Sequence, residues 1–330
     1  MLSLIPSSLL AILLSNTIYA QDVDTSPHKI QFVTVDKNVR LEVLDWGGSG
    51  RPVVLLAGLG SDAHVFDEFA PKLTGECHLY GITRRGYGSS SAPVPTDDKT
   101  YSADRLGDDV LSVIDQLHLD RPVLVGHSIA GEELSSVGSR HSEKVAGLIY
   151  LDAGYGYAFY EATLGWLDID VVDVQKELDL LRAGKGPNDT RQAIRELLDT
   201  MLPRLDNDLK QEHEYLGSLD PAMITGDSLS MTAASQAILA GEKKYTKIGA
   251  PILAIFAVPH DMGKLVGSDP ARRAVFDAHD EASTGAQATA FGKGLPTARI
   301  VRLRHANHFV FKSNEKDVLR EMKAFLSSLP

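Results

Sequence analysis

Two rhythms of apolar positions run through this chain, and their order predicts its architecture. Short apolar runs stand at Pro52 to Ala57, Cys77 to Ile82, Pro122 to His127, Val145 to Leu151 and Pro251 to Val258, and a last strand is expected at Ala298 to Leu303. Runs of this length, bounded by Gly, Pro and polar residues, predict strands buried on both faces. An earlier pair, Ile30 to Val35 and Val39 to Trp46, is separated by Asp36-Lys37-Asn38 and predicts an antiparallel hairpin. Helical spacing lies between the runs. Leu106, Val110, Val113, Ile114 and Leu117 form one apolar stripe behind Ser102, a good N-cap residue, and Val318, Leu319, Met322, Phe325 and Leu326 form another in a final helix from Ser313. Val65 to Leu73 is also expected to be an amphipathic helix. Strands alternating with helices predict an α/β fold, a mostly parallel sheet flanked by helices.

The rhythm changes between residues 154 and 247. No buried-strand run occurs there, and Val171 to Leu181, Asp189 to Leu202 and Ser228 to Leu239 read as helices. This stretch is expected to be a helical cap inserted into the sheet domain, which then comprises residues 21–153 and 248–330. The cap would sit over the carboxyl ends of the strands, where open α/β sheets hold their ligands. It begins with Tyr155, Tyr157, Phe159, Tyr160 and Trp166, which suit a substrate-facing wall or the cap's own core equally well.

Composition narrows the function. A formal net charge of -11 opposes binding to nucleic acid or to an anionic membrane, because the field of the whole molecule repels polyanions. The single cysteine, Cys77, excludes an internal disulfide. The first twenty residues are apolar, end in Ala20 and turn polar at Gln21-Asp22, as in a secretory signal peptide cleaved after Ala20. No Lys or Arg precedes the apolar core, and Ile18 is bulky for a cleavage site. The expected protein is periplasmic or secreted, with no stable membrane span after cleavage.

The candidate chemistry centres on Gly126-His-Ser-Ile-Ala-Gly131, where an apolar strand runs into a serine followed by a helix. Such a turn exposes the Ser128 hydroxyl at the strand's end and aims the Ile129 N–H at whatever oxygen Ser128 would attack. It demands small neighbours, supplied by Gly126 and Ala130. A serine hydroxyl needs a base, and the base needs a group that holds its tautomer. His305 and His308 follow the last strand, and Asp261 follows the strand at Pro251 beside His260. Asp152, at the end of the strand after the elbow helix, is the alternative acid; the chain order serine, acid, histidine favours Asp261. Gly58-Leu59-Gly60 lets the backbone approach a ligand closely, which makes the Leu59 N–H a second oxyanion donor. Glu132 and Glu133 read as solvated or capping charges, and Arg84-Arg85 as a structural loop. His305 and His308 could instead chelate zinc with His260 and Asp261, but no cysteine ligands or His-Glu-x-x-His spacing support a metal site.

Leu55-Leu-Ala-Gly-Leu-Gly60, Arg85-Gly-Tyr-Gly-Ser89, Gly126 to Ala130, Pro251 to Asp261 and Asn307-His-Phe309, in this order, resemble the α/β-hydrolase family over nearly everything after residue 29. The resemblance implies a cofactor-free serine hydrolase acting on a small-molecule ester or related acyl substrate. Ser128 would be its nucleophile, His308 its base, Asp261 its orienting acid, and the Leu59 and Ile129 amides its oxyanion hole. Ala130 replaces the second glycine of G-x-S-x-G, and Ala57 stands where many relatives carry histidine. Ser128 disfavours the branches that use an aspartate nucleophile. Lactone, amide or C–C hydrolysis, perhydrolase chemistry and a non-catalytic binding module are the other uses of this fold.

Overall fold

The computed structural model describes residues 28–97, 99–184, 187–221 and 231–330, so residues 1–20, expected above to be a signal peptide, lie outside the described residues. Eight strands form one sheet: β1 (Lys29–Asp36), β2 (Val39–Gly48), β3 (Arg51–Leu56), β4 (Cys77–Ile82), β5 (Val123–His127), β6 (Gly147–Leu151), β7 (Ile252–Ala257) and β8 (Ala298–Leu303). Their order is β1-β2-β4-β3-β5-β6-β7-β8. The expected hairpin, β1 with β2, is antiparallel, and β2 meets β4 antiparallel; from β4 to β8 all pairing is parallel. Every residue of β5, β6 and β7 is buried, because helices cover both faces of the central strands.

The two-residue period of a strand divides the core. Val54 and Leu56 of β3 enter one apolar cluster, while Val53 and Leu55 enter the other. The first cluster lies against α1 (Ala103–Gln116) and α2 (Gly131–Arg140), where Leu106, Val110, Val113 and Ile114 of α1 are buried as their spacing predicts. Ser102 caps α1, accepting from Arg105 N at 3.3 Å. The helix expected over Val65 to Leu73 is instead two short 3-10 turns, Ala63–Phe66 and Ala70–Leu73. Pro71 has no N–H to donate and interrupts a continuous α-helix there.

Between β6 and β7 the chain builds α3 (Leu167–Arg182), α4 (Pro187–Glu196), α5 (Leu202–Ser218) and α6 (Ala233–Ala240), with a π-helical turn, Leu197–Met201, joining α4 to α5. Residues 228–230 of the helix expected from Ser228 lie outside the described residues, and α6 starts behind Thr232, whose hydroxyl accepts from Ser235 N. After β7, α7 (Pro270–Gly294) crosses the molecule, and α8 (Val310–Ser313) and α9 (Glu315–Ser328) close it, α9 burying Val318, Met322 and Phe325. Among the described residues no helix is long and apolar enough to cross a membrane.

The segment between β6 and β7 carries buried acid. Asp168 Oδ2 is buried without a hydrogen-bond partner, and burial, reinforced by the negative charge of Glu212, lifts this carboxyl from 3.8 to about 8. The folded state therefore holds a proton that the unfolded chain releases near its ordinary value. The associated stability is complete below that value and is lost as pH rises through about 8. Thermal melts should accordingly show stability falling from about pH 5 to about pH 9. Asp168→Asn should flatten that slope and gain on the order of 1–2 kcal/mol at the alkaline end; an unchanged slope would remove Asp168 as its source.

Candidate active site

Ser128 leaves β5 at a φ of 56°, in the left-handed region that a non-glycine residue adopts only where its surroundings hold it. Residues 128–130 form one 3-10 turn that runs directly into α2. A Cβ at Gly126 would lie 2.9 Å from Leu134 Cδ1 and 3.0 Å from the Ala130 carbonyl oxygen, so the first glycine of the motif is required. Ala130 is itself fully buried, and the second tight contact falls one residue later: a Cβ at Gly131 would overlap the Ala153 carbonyl oxygen. The elbow thus packs glycine-to-backbone against the loop after β6, beside Asp152. Gly131→Ala should destabilise the protein by about 3 kcal/mol or more and displace that loop. A melting curve and an activity assay check this; wild-type values in both would contradict the packing argument.

Two other loops converge on the turn. Gly58 passes over it so closely that a Cβ there would sit 3.0 Å from Ser128 Cβ and 2.9 Å from His127 Nδ1, bringing the adjacent, buried Leu59 to the serine. His127 Nε2 donates to the carbonyl oxygen of His308 at 3.1 Å, and the two rings lie 4.6 Å apart. The residue before Ser128 therefore holds the backbone of His308. Ser128 Oγ and His308 Nε2 are both buried and neither has a hydrogen-bond partner.

On its other side the His308 ring is held by Asp152, whose Oδ2 lies 2.7 Å from His308 Nδ1, while Oδ1 accepts from Ala257 N at 2.9 Å. This corrects the choice of Asp261 as the acid, since Asp152 also lies between Ser128 and His308 in the chain. Asp261 is exposed, accepts from Gly263 N at 3.0 Å and faces Arg273 at 3.6 Å, away from His308. The inward position of that loop belongs to His260. Its Nε2 lies 2.8 Å from Asp152 Oδ2 and its Nδ1 2.8 Å from Asp280 Oδ2, and Thr284 donates to Asp280 Oδ1 at 2.7 Å. His305 is exposed. A continuous buried relay thus runs from His308 through Asp152 and His260 to Asp280.

Charge follows this geometry. Burial alone would raise the Asp152 carboxyl, but the cationic His260 and hydrogen bonds from both imidazoles hold it well below the ordinary carboxylate range. Burial opposes protonation of His260, and the two flanking carboxylates overcome it and push the imidazole well above its ordinary 6.5. His127 goes the other way, kept neutral by burial and the neighbouring His308. Asp152 therefore stays an ionised acceptor for His308 Nδ1–H throughout the neutral range.

The aromatic stretch splits between the two uses open to it. Tyr155 and Trp166 line a cavity of about 370 Å³ that reaches His308 and His260. Tyr157 is buried, and its hydroxyl, pushed upward by burial and by the charges of Glu242, Asp152 and Glu132, stays protonated. Phe159 packs edge-on against Phe291, and Tyr160 donates at 2.6 Å to Asp170 of α3. Gln287 braces the loop by donating to the Gly154 and Phe159 carbonyls. Arg85 pairs with Asp109 and Arg84 with Glu133, both buried, in keeping with a structural loop. Glu133 and Glu132 are also buried rather than solvated, and burial drives the unpartnered Glu132 carboxyl well above its ordinary value.

A profile of the alpha/beta hydrolase family matches residues 53–321. The chain belongs to that family. Among curated proteins it is 33% identical to a fluoroacetate dehalogenase of Burkholderia over 116 residues, 35% of this chain and 38% of that protein. It is also 33% identical to epoxide hydrolase A of Mycobacterium tuberculosis over 120 residues, 36% of this chain and 37% of that one. The matches thus span well under half the length of these relatives. Among solved structures, E-2-(acetamidomethylene)succinate hydrolase superposes with a TM-score of 0.55 at 17% identity, covering 91% of this chain and all of that one. An esterase from Thermogutta terrifontis superposes at 0.54 and 17%, covering 91% of this chain and 98% of its own. These likenesses support the fold.

Proposed function

We propose that this protein is a serine hydrolase that cleaves a small carboxylic ester through an acyl-enzyme, with Ser128, His308 and Asp152 as its catalytic set. The observation that carries this reading is the buried Ser128 hydroxyl on a left-handed turn whose preceding residue, His127, binds the backbone of His308, a histidine whose Nδ1 is held by an ionised aspartate. In the proposed cycle His308 Nε2 takes the Ser128 proton as Oγ attacks the ester carbonyl. The Leu59 and Ile129 N–H groups receive the oxyanion, the latter at the start of the turn into α2. His308 then returns the proton to the departing alkoxide, and water, deprotonated by the same imidazole, hydrolyses the acyl-enzyme.

The two relatives above are a dehalogenase and an epoxide hydrolase, and a hydroxyl at the elbow supports acyl transfer over either. The orienting acid comes from the end of β6, and the brace on it, His260–Asp280, adds a cation that keeps the acid ionised. A panel of p-nitrophenyl esters of graded acyl length, together with lactones, tests the reading. A burst of about one p-nitrophenolate per protein followed by steady turnover is expected; no turnover of any ester, or turnover without a covalent stage, would overturn it. Export is likewise proposed from residues 1–20, and sequencing the N-terminus of the mature protein checks it: Gln21 is expected.

A further inference from the structure

One buried cation joins the two backbone segments that the proposed reaction uses as hydrogen-bond donors. Arg84, on the loop after β4, directs its guanidinium at both. Its Nε and Nη2 donate to the two carboxylate oxygens of Glu133, at 2.6 and 2.7 Å. Glu133 lies in the first turn of α2, which continues directly from the turn that holds Ile129. Nη2 also donates to the Ala57 carbonyl at 2.9 Å, and Nη1 reaches the Gly58 carbonyl at 3.5 Å, both on the loop after β3 that carries Leu59.

The planarity of the peptide group turns this grip into an orientation. Across a trans peptide the carbonyl and the following N–H point in opposite directions, so a Gly58 oxygen held toward the guanidinium turns the Leu59 N–H away from it. Gly58 itself packs on the elbow, where a Cβ would lie 3.0 Å from Ser128 Cβ. Ser61 N donates to the same Gly58 oxygen at 3.3 Å, so the local turn and the cation act together. A cation on the carbonyl side also polarises these peptides and strengthens their N–H groups as donors. Arginine suits the position, because its planar, permanently charged fork can serve a carboxylate and two carbonyls at once, and a single ammonium cannot. The next residue supplies the contrast. Arg85 is equally buried and grips Asp109 with two bonds of 2.6 and 2.7 Å, but its remaining bond goes to the Thr100 carbonyl and not to the loop after β3.

We infer that Arg84, anchored by Glu133, is the positioning residue of the oxyanion hole. It fixes the Gly58–Leu59 peptide so that the Leu59 N–H faces the oxygen that becomes charged when Ser128 attacks. The inference rests on the hydrolase reading for its reaction and on the Arg84 contacts for its residue.

The test measures kcat and KM for p-nitrophenyl butyrate in Arg84→Lys and Arg85→Lys beside wild type, with a melting curve for each. Arg84→Lys should lower kcat between about tenfold and about 10³-fold, the upper figure being the loss of one oxyanion donor outright, with KM within about threefold. Arg85→Lys disrupts a buried pair of the same kind, and it should cost comparable stability while keeping kcat within about threefold. Affinity for a trifluoromethyl ketone should weaken in Arg84→Lys by a factor that follows kcat. Ser128 Oγ adds to the carbonyl carbon of that ketone, the C=O π pair becomes the oxyanion, and the Ser128 proton passes to His308. An unchanged kcat in Arg84→Lys, or equal losses of kcat in the two variants, would overturn the inference and leave the hydrolase reading intact. Should Arg84→Lys not fold, a crystal structure of the wild-type ketone adduct decides. Leu59 N about 3 Å from the adduct oxygen, with the Gly58 carbonyl still on Arg84, upholds the inference; a Gly58–Leu59 peptide whose carbonyl faces Ser128 overturns it. If the wild type cleaves no ester and forms no adduct, the hydrolase reading fails and the inference falls with it.

Discussion

Ser128→Ala should reduce ester turnover by on the order of 10⁵ to 10⁶-fold, to the residual level that an oxyanion site and binding alone provide. Losing one oxyanion donor costs on the order of 3 kcal/mol, whereas losing the nucleophile removes the covalent route altogether. The substitution deletes one oxygen that has no hydrogen-bond partner, at a fully buried position, so its effect on folding should be small. A melting curve within a few degrees of wild type, measured on the same sample, separates lost chemistry from lost structure. Comparable rates for the two proteins would end the proposed mechanism.

The second large effect distinguishes the two aspartates. Asp152→Asn keeps the shape of the side chain but offers His308 Nδ1 an amide in place of an ionised acceptor, and a fall in kcat of on the order of 10⁴-fold is expected. The same change also removes a negative charge from between His260 and the site, so some loss of stability should accompany it. Asp261→Asn, on an exposed side chain bonded to Gly263 N, should change kcat by less than about twofold. The opposite ranking would return the acid to the loop after β7.

That contrast shows what the sequence could and could not convey. Strands β5, β6 and β7 fall within the apolar runs that predict them, because burial on both faces leaves a signal in nearly every residue of a strand. The elbow is equally legible, since Gly126, Ser128 and Ala130 meet steric demands local to six residues. The choice between Asp152 and Asp261 is not local. Both carboxyls follow neighbouring parallel strands, and only the direction of each side chain past the strand end decides which one meets His308. The glycine displaced to position 131 was a clue, because its contact with Ala153 draws the loop bearing Asp152 against the elbow. The His260–Asp280 brace escaped for a similar reason: it joins the loop after β7 to the middle of a 25-residue helix, a contact between segments with no shared sequence pattern. Glu132 and Glu133 sit where first-turn acids of a helix usually meet water, and tertiary packing buries them instead.

The central claim is that one hydroxyl, on the turn after β5, is made nucleophilic by His308. Intact-mass and peptide mapping after treatment with a fluorophosphonate probe tests it most directly. The wild-type protein should gain one adduct, carried on Ser128, at a rate that His308→Ala lowers at least a hundredfold by the loss of the general base. Failure to label, a label on another residue, or equal labelling of the His308→Ala protein would contradict it.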